Sequence, residues 1–231
     1  MNGFSIIIPV YNEELILASA AESLIVSLAR LKARDFEILF CENGSTDGTM
    51  KILSALTKKH YQVRCFSYPS PNFGKALLMG VSRARYETVF LFNADWIDLH
   101  FLQEAYTLRH TSDIVVCSKT LNPSLDRRPF YRRLGTRALV FLLRMLFGFQ
   151  GTDTHGLKLL SRSSVLFLLR LCITEEIIET ELLLRARHQG LIIREIPCAI
   201  SEIRPARVSF FRRGFRVLRE LIRLKLSLHY G

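Results

Sequence analysis

Three short apolar runs, each breaking off into a turn rich in acids and amides, constrain this chain more than any other feature. They are Phe4–Val10 (FSIIIPV), Phe36–Cys41 (FEILFC) and Val89–Phe92 (VFLF). The turns that follow are Tyr11–Glu14, Glu42–Asp47 and Asn93–Asp98. Near-continuous apolar runs of this length suit parallel strands covered by helices on both faces. The stretches between them have helical length, so the chain reads as successive βαβ units around a mostly parallel sheet. Further strands are expected at Gln62–Ser67, Asp113–Ser118, Leu157–Leu160 and Leu191–Ile200, with Pro197 sending the last to an edge. Asn12 is the expected N-cap of a first helix that runs to about Lys32, with acids in its first turn.

In an open α/β sheet, ligands bind along the rim formed by the carboxyl ends of the strands. Asn93 and Asp95, two apart at such an end, offer oxygens that suit Mg2+ or Mn2+ carrying a phosphate. Taken alone, that turn reads as a polar loop with Asp98 capping the next helix. The other two turns add helix-start N–H groups and the glycines of ENGSTDG, which allow close approach. Together they suit a nucleotide with its diphosphate. Neither G-x-G-x-x-G nor G-x-x-x-x-G-K-[ST] occurs, which sets aside the dinucleotide and P-loop classes.

The 231 residues suit one large domain with an appendage, and 49% hydrophobic content supports a full core. Charge is uneven: residues 1–118 carry −1 and residues 119–231 carry +12. The second half therefore expects a polyanion or an anionic surface. The five cysteines show neither zinc spacing nor a disulfide framework and read as reduced core thiols of a cytosolic protein. No signal peptide is read before the first strand. No run reaches the roughly 18 to 20 uninterrupted apolar residues of a membrane-spanning helix. Arg144 and Arg170 interrupt the two longest candidates.

SIIIPVYNEE, ENGSTDGT, FGKALLMGVSRA and FLFNAD resemble family-2 glycosyltransferases of the GT-A fold. SKTLNPSLDRRPFYRRLGTRAL, GTDTHGLKLLSR and ETELLLRARHQGLIIREIP narrow the resemblance to the polyprenyl-phosphate glycosyltransferases, the dolichol-phosphate mannose synthase group. That resemblance implies a GT-A catalytic domain over residues 1–203, divided into a nucleotide-sugar half (1–118) and an acceptor half (119–203). The donor would be a GDP-mannose or UDP-glucose type of nucleotide sugar, transferred with inversion to a polyprenyl or dolichyl phosphate. On the donor side it implies contacts from Pro9, Tyr11, Glu13, Glu42, Asn43, Asp47, Lys75, Asn93, Ala94, Asp95 and Arg207. Asn93 and Asp95 occupy the D-x-D that holds Mg2+ or Mn2+, Asn93 replacing the first carboxylate. Glu42 and Asn43 stand where two aspartates are usual.

On the acceptor side it implies Lys119, Arg132 and Thr136 on the lipid phosphate, with Asp95, Arg132 and Asp153 as the catalytic set. Glu179 and Glu181 match an acid pair at a helix start, and Arg207 and Ser209 match an R-x-S that could close on the diphosphate. A phosphate monoester is already ionised near neutral pH, so the site needs orientation and charge compensation rather than a general base. Arginine suits that task because its planar fork pairs two oxygens. Six cations and one acid, Asp126, lie between Lys119 and Arg137.

Residues 204–231 form a basic amphipathic segment with Phe211, Phe215, Leu218, Ile222 and Leu226 at helical spacing among arginines. Such a helix can pack on its own domain or lie in a membrane interface. Each cation near an anionic leaflet adds about 1 kcal/mol. A lipid acceptor favours the interface, so a peripheral protein on the cytoplasmic face is expected, with room for a transmembrane partner. Nucleic acid is not expected, since no recognition motif accompanies the charge. The rival readings are a pseudoenzyme bound to a membrane partner, motivated by Asn93, and a transferase with a different acceptor.

Overall fold

The computed structural model describes residues 1, 3–200 and 210–229, and in the last of these segments the side chains of 214–227. The strands are β1 (Phe4–Val10), β2 (Phe36–Asn43), β3 (Val63–Tyr68), β4 (Thr88–Leu91), β5 (Ile114–Ser118), β6 (Lys158–Ser161) and β7 (Ile193–Pro197). The helices are α1 (Leu17–Arg30), α2 (Thr49–Lys59), α3 (Phe73–Arg83), α4 (Leu99–Leu108), α5 (Phe130–Phe147), α6 (Arg162–Leu171), α7 (Ile178–His188) and α8 (Phe210–His229). One seven-stranded sheet runs β3-β2-β1-β4-β6-β5-β7. Among the described residues β6 alone is antiparallel, inserted between β4 and β5. β7 lies at the edge, where Pro197 needs no ladder partner on its open side.

Two apolar layers cover the sheet. One joins α1, α2 and α4 to the side chains of Phe4, Ile6, Ile38, Phe40 and Phe90. The other joins α3, α5, α6, α7 and α8 to Ile7, Leu39, Val89 and Val116. Alternation along β1 sends Ile6 to one layer and Ile7 to the other, the period-two rule of a strand buried on both faces. α5 stops at Gly148, whose φ of 64° provides the left-handed turn that ends a helix at low cost.

Two expectations need correction. The first helix begins at Leu17, and Asn12 does not cap it. Asn12 instead adopts a φ of 53° and faces the second loop. The polar groups of that loop compete successfully for its amide. Cys117 and Cys198 are not free thiols: they are bonded across β5 and the end of β7, with Cα atoms 5.6 Å apart. The parallel register places Cys117 beside Ile196, close to Cys198, a proximity that a sequence separation of 81 conceals. Cys41, Cys65 and Cys172 are free.

Candidate active site

β2, β1 and β4 are parallel neighbours, so their three following loops share one rim. The first two loops are laced together. The Asn12 N–H donates to Ser45 Oγ (3.0 Å), and Asn12 Oδ1 accepts from the Thr46 N–H (2.8 Å). The Glu13 N–H donates to Thr49 Oγ1 (2.8 Å). The Glu14 N–H donates to Asp47, and the Glu14 carboxylate accepts from the Gly48 N–H. These bonds satisfy loop amides that would otherwise be orphaned near the sheet.

Several residues placed on the donor by resemblance also brace this rim. Glu42 is buried and accepts from the Ser45 N–H and the Ser67 hydroxyl. Asn43 accepts from the Asn72 N–H at 2.6 Å. Asp47 accepts from the Thr49 N–H at the start of α2 at 3.0 Å. Pro9 lies within β1 opposite Cys41, Tyr11 is exposed just beyond, and Glu13 is buried. Lys75 sits in the first turn of α3, which Asn72 caps. Arg207 lies outside the described residues.

After β4, the Trp96 N–H bonds back to the Asn93 carbonyl, so Asn93–Trp96 is a tight turn. Asp98 caps α4 by accepting from the Phe101 N–H at 2.9 Å. Ala94 is buried against the sheet, and Asn93 and Asp95 are half-buried at the rim. Among the described residues no three His, Cys, Asp or Glu side chains cluster as a closed metal cage. One carboxylate and one amide oxygen fit a hard cation that takes its remaining ligands from a diphosphate and water, the usual habit of Mg2+. The donor set therefore fits a nucleotide-borne ion.

Lys119, just after β5, meets this turn. Its ammonium is buried, lies 5.5 Å from the Trp96 ring and pairs with Asp153 at 2.5 Å. Burial alone would raise the Asp153 carboxyl. The Lys119 ammonium and the N–H groups of Lys119 and His155 outweigh it and hold the group down to about 2. A carboxylate this firmly ionised compensates charge and does not carry protons. Gly156 closes the same loop against β5: an added Cβ would stand 1.7 Å from the Cys117 carbonyl oxygen.

At the start of α5, Arg128 grips the buried Asp126 with both fork nitrogens, at 2.9 and 2.8 Å, and reaches Thr136 Oγ1 at 3.4 Å. The Thr136 hydroxyl itself donates to the Arg132 carbonyl one turn back. Arg132 and Arg133 are half-buried on this turn, and the buried Arg133 Nε has no hydrogen-bond partner among the described residues. Burial disfavours the charge on the Lys119 ammonium, Asp153 favours it, and Arg128 and Lys158 act against it to a smaller extent. Trp96, the Lys119–Asp153 pair and Arg128 thus lie within electrostatic reach of one another.

Lys158 is the residue that reading the sequence overlooked. It is fully buried on β6 and donates to the Gly156 carbonyl (2.7 Å) and to Glu179. A lone cation in the apolar run LKLL was the available signal, since a buried ammonium must find an acid. Glu181 is also fully buried and holds the turn between α6 and α7.

The Asp153 pair makes a pH prediction. A carboxyl held below its ordinary value near 3.8 contributes stability above that pH and loses it as pH falls toward about 2. Between those limits the native chain should lose stability more steeply than Asp153→Asn. Denaturant unfolding at stepped pH measures it, and equal slopes would remove the pair from the ledger.

The profile of glycosyl transferase family 2 matches residues 5–177, three quarters of the chain. This chain belongs to glycosyl transferase family 2. A dolichyl-phosphate beta-glucosyltransferase of Trichomonas vaginalis is 28% identical over 218 residues, covering 86% of this chain and 66% of that protein. A second one from the same organism is 26% identical over 221 residues, covering 85% and 63%. The chain thus spans slightly less than two thirds of either relative. Among solved structures, glucosyl-3-phosphoglycerate synthase from Mycobacterium tuberculosis, in complex with Mn2+, UDP and glucosyl-3-phosphoglycerate, superposes with a TM-score of 0.69. It is 19% identical, and the match covers 98% of this chain and 79% of that one. The likeness establishes the GT-A fold for this family 2 member.

Proposed function

We propose that this family 2 glycosyltransferase moves a hexose from a nucleotide sugar to a polyprenyl phosphate at the cytoplasmic face of a membrane. The observation that carries this reading is Lys119, which lies against Trp96 beside the Asn93–Asp95 turn, pairs with Asp153 and feels the charge of Arg128 just ahead of α5. Two phosphate-bearing reactants need such a place to meet. The T. vaginalis relatives, by name, act on dolichyl phosphate.

The donor nucleotide lies along the rim formed by Pro9, Tyr11, Glu13 and the laced second loop. Asn93 and Asp95 would hold Mg2+ or Mn2+, which offsets charge on the departing nucleoside diphosphate. Arg132 and its neighbour Arg133 orient the lipid phosphate. One of its oxygens attacks the anomeric carbon opposite the diphosphate. The new carbon–oxygen bond forms as the bond to the diphosphate breaks, which inverts the centre. Asp153 keeps Lys119 in place and accepts no proton, because the nucleophile is already an anion.

The membrane location rests on where large apolar side chains remain exposed. Phe130, Leu134, Phe141 and Met145 run along the outside of α5, Phe167 and Leu171 mark α6, and Phe215, Leu218, Ile222 and Leu226 stripe α8. α8 buries Leu221 and Leu224 on the opposite side, so it packs on the domain and keeps a second apolar stripe outward. A concentration of this kind on one layer marks an interaction surface. Among the described residues no helix is long and apolar enough to cross a membrane.

The test is transfer of labelled sugar from UDP-glucose, GDP-mannose and related donors into the organic phase, with polyprenyl phosphate and Mg2+ or Mn2+. One donor should give metal-dependent product that chelation abolishes. Hydrolysis or transfer only to water-soluble acceptors would favour the reading with a different acceptor. No turnover of any donor would favour the pseudoenzyme.

A further inference from the structure

A cleft of about 240 Å³ opens between the first turn of α3, the end of α6, the turn leading to α7, and α8. Its lining includes Lys75, Arg170 and Arg223, with Glu175 as the one acid. None of the three cations forms an ion pair or hydrogen bond with a described residue. The cations around them are engaged: Arg216 with Glu176, Arg185 with Glu181, and Lys225 with the Leu146 carbonyl. Three cations against one acid in one concavity make it a place for an anion.

The volume is below the roughly 300 to 1,000 Å³ of pockets that enclose a whole small ligand, and suits a phosphate with a short polar group. Cys172 in the wall has its thiol pushed up to about 12 by burial first and then by Glu181, so it stays protonated and offers no metal ligand or nucleophile. The surroundings are apolar and exposed. Phe167 and Leu171 stand on α6 on either side of Arg170, and Ile222 and Leu226 stand on α8 around Arg223. A phosphate seated between the two arginines would have its hydrocarbon beside those side chains.

We propose that this cleft seats the phosphate of an anionic phospholipid headgroup and so orients the domain on the bilayer, apart from the acceptor site at the head of α5. The inference rests on the membrane reading above. Arginine's fork makes it specific for a phosphate rather than for negative charge in general.

The experiment uses the full chain and vesicles of phosphatidylcholine with or without phosphatidate. The variants are Arg170→Ala with Arg223→Ala, and Arg170→Lys with Arg223→Lys. Both substituted side chains are exposed, and circular dichroism checks that the variants stay folded. The alanine pair should lower affinity for phosphatidate vesicles by more than the roughly 30-fold of two surface cations, because the bidentate pairing is lost as well, and the lysine pair should recover only part of it. Full recovery with lysine would mean diffuse attraction and overturn the site. Unchanged affinity in the alanine pair would also overturn it while leaving the membrane reading intact. Failure of the native chain to bind either vesicle would sink the membrane reading itself. Tight binding of inorganic phosphate that releases no vesicle would assign the cleft to a soluble phosphate. Release from vesicles by UDP would return it to the donor site.

Discussion

Asp95→Asn should lower metal-dependent transfer by about 10²- to 10³-fold, the loss that follows removal of one preorganised charge aimed at a developing anion. The substitution keeps the side chain's size, and Asp98 rather than Asp95 caps α4, so the turn and the following helix should survive. The size of the effect comes from Asn93. Where the D-x-D motif usually supplies two carboxylates, this chain supplies one, and Asp95→Asn leaves only neutral oxygens for a divalent ion. Asn93→Asp should move the other way and lower the metal concentration that gives half-maximal transfer. Titrating Mg2+ and Mn2+ against labelled product for both variants measures the pair. Full activity in Asp95→Asn would remove this turn from the chemistry.

Glu181→Ala should be the most damaging single change to stability, costing about 3 to 5 kcal/mol, as expected when one partner of a buried charge pair is removed. The Glu181 carboxylate has no exposure. It accepts from the Ile173 N–H, the Thr174 N–H and the Thr174 hydroxyl, and pairs with Arg185 at 2.7 Å. Alanine leaves all of these without an acceptor. In a domain of this size each kcal/mol moves Tm by about 2 to 4 °C, so a fall of roughly 10 °C is expected by calorimetry. Glu181→Gln keeps one carbonyl oxygen and should fall between the two. A Tm within the ordinary scatter of surface substitutions would show that the α6–α7 turn holds without this carboxylate. That turn also walls the cationic cleft, so vesicle binding should weaken together with stability.

The βαβ order, the shared rim and the edge position of β7 could be read from apolar runs and punctuation, because those depend on local period and on where a chain can shed hydrogen-bond partners. The ends of α5 are marked by local residues, since Phe130–Phe147 is bounded by Pro129 and Gly148. The antiparallel β6 was not: a four-residue strand carries no direction in its composition. Asn12 misled for a related reason. An Asn ahead of a helix is an N-cap by local rule, yet here Ser45 and Thr46, distant in sequence, offered its amide better partners.

The sequence by itself determined the family, the layered fold and the stock of oxygens and guanidinium groups at its disposal, because motif spacing and hydrophobic period survive without coordinates. Only the tertiary structure decided which charges are committed to one another. Arg128 is tied to Asp126, Lys119 to Asp153 and Lys158 to Glu179, while Lys75, Arg170 and Arg223 are left facing a cleft. Such pairings depend on burial and on distances between residues far apart in the chain, and a charge in water has no reason to choose a partner until folding takes the water away.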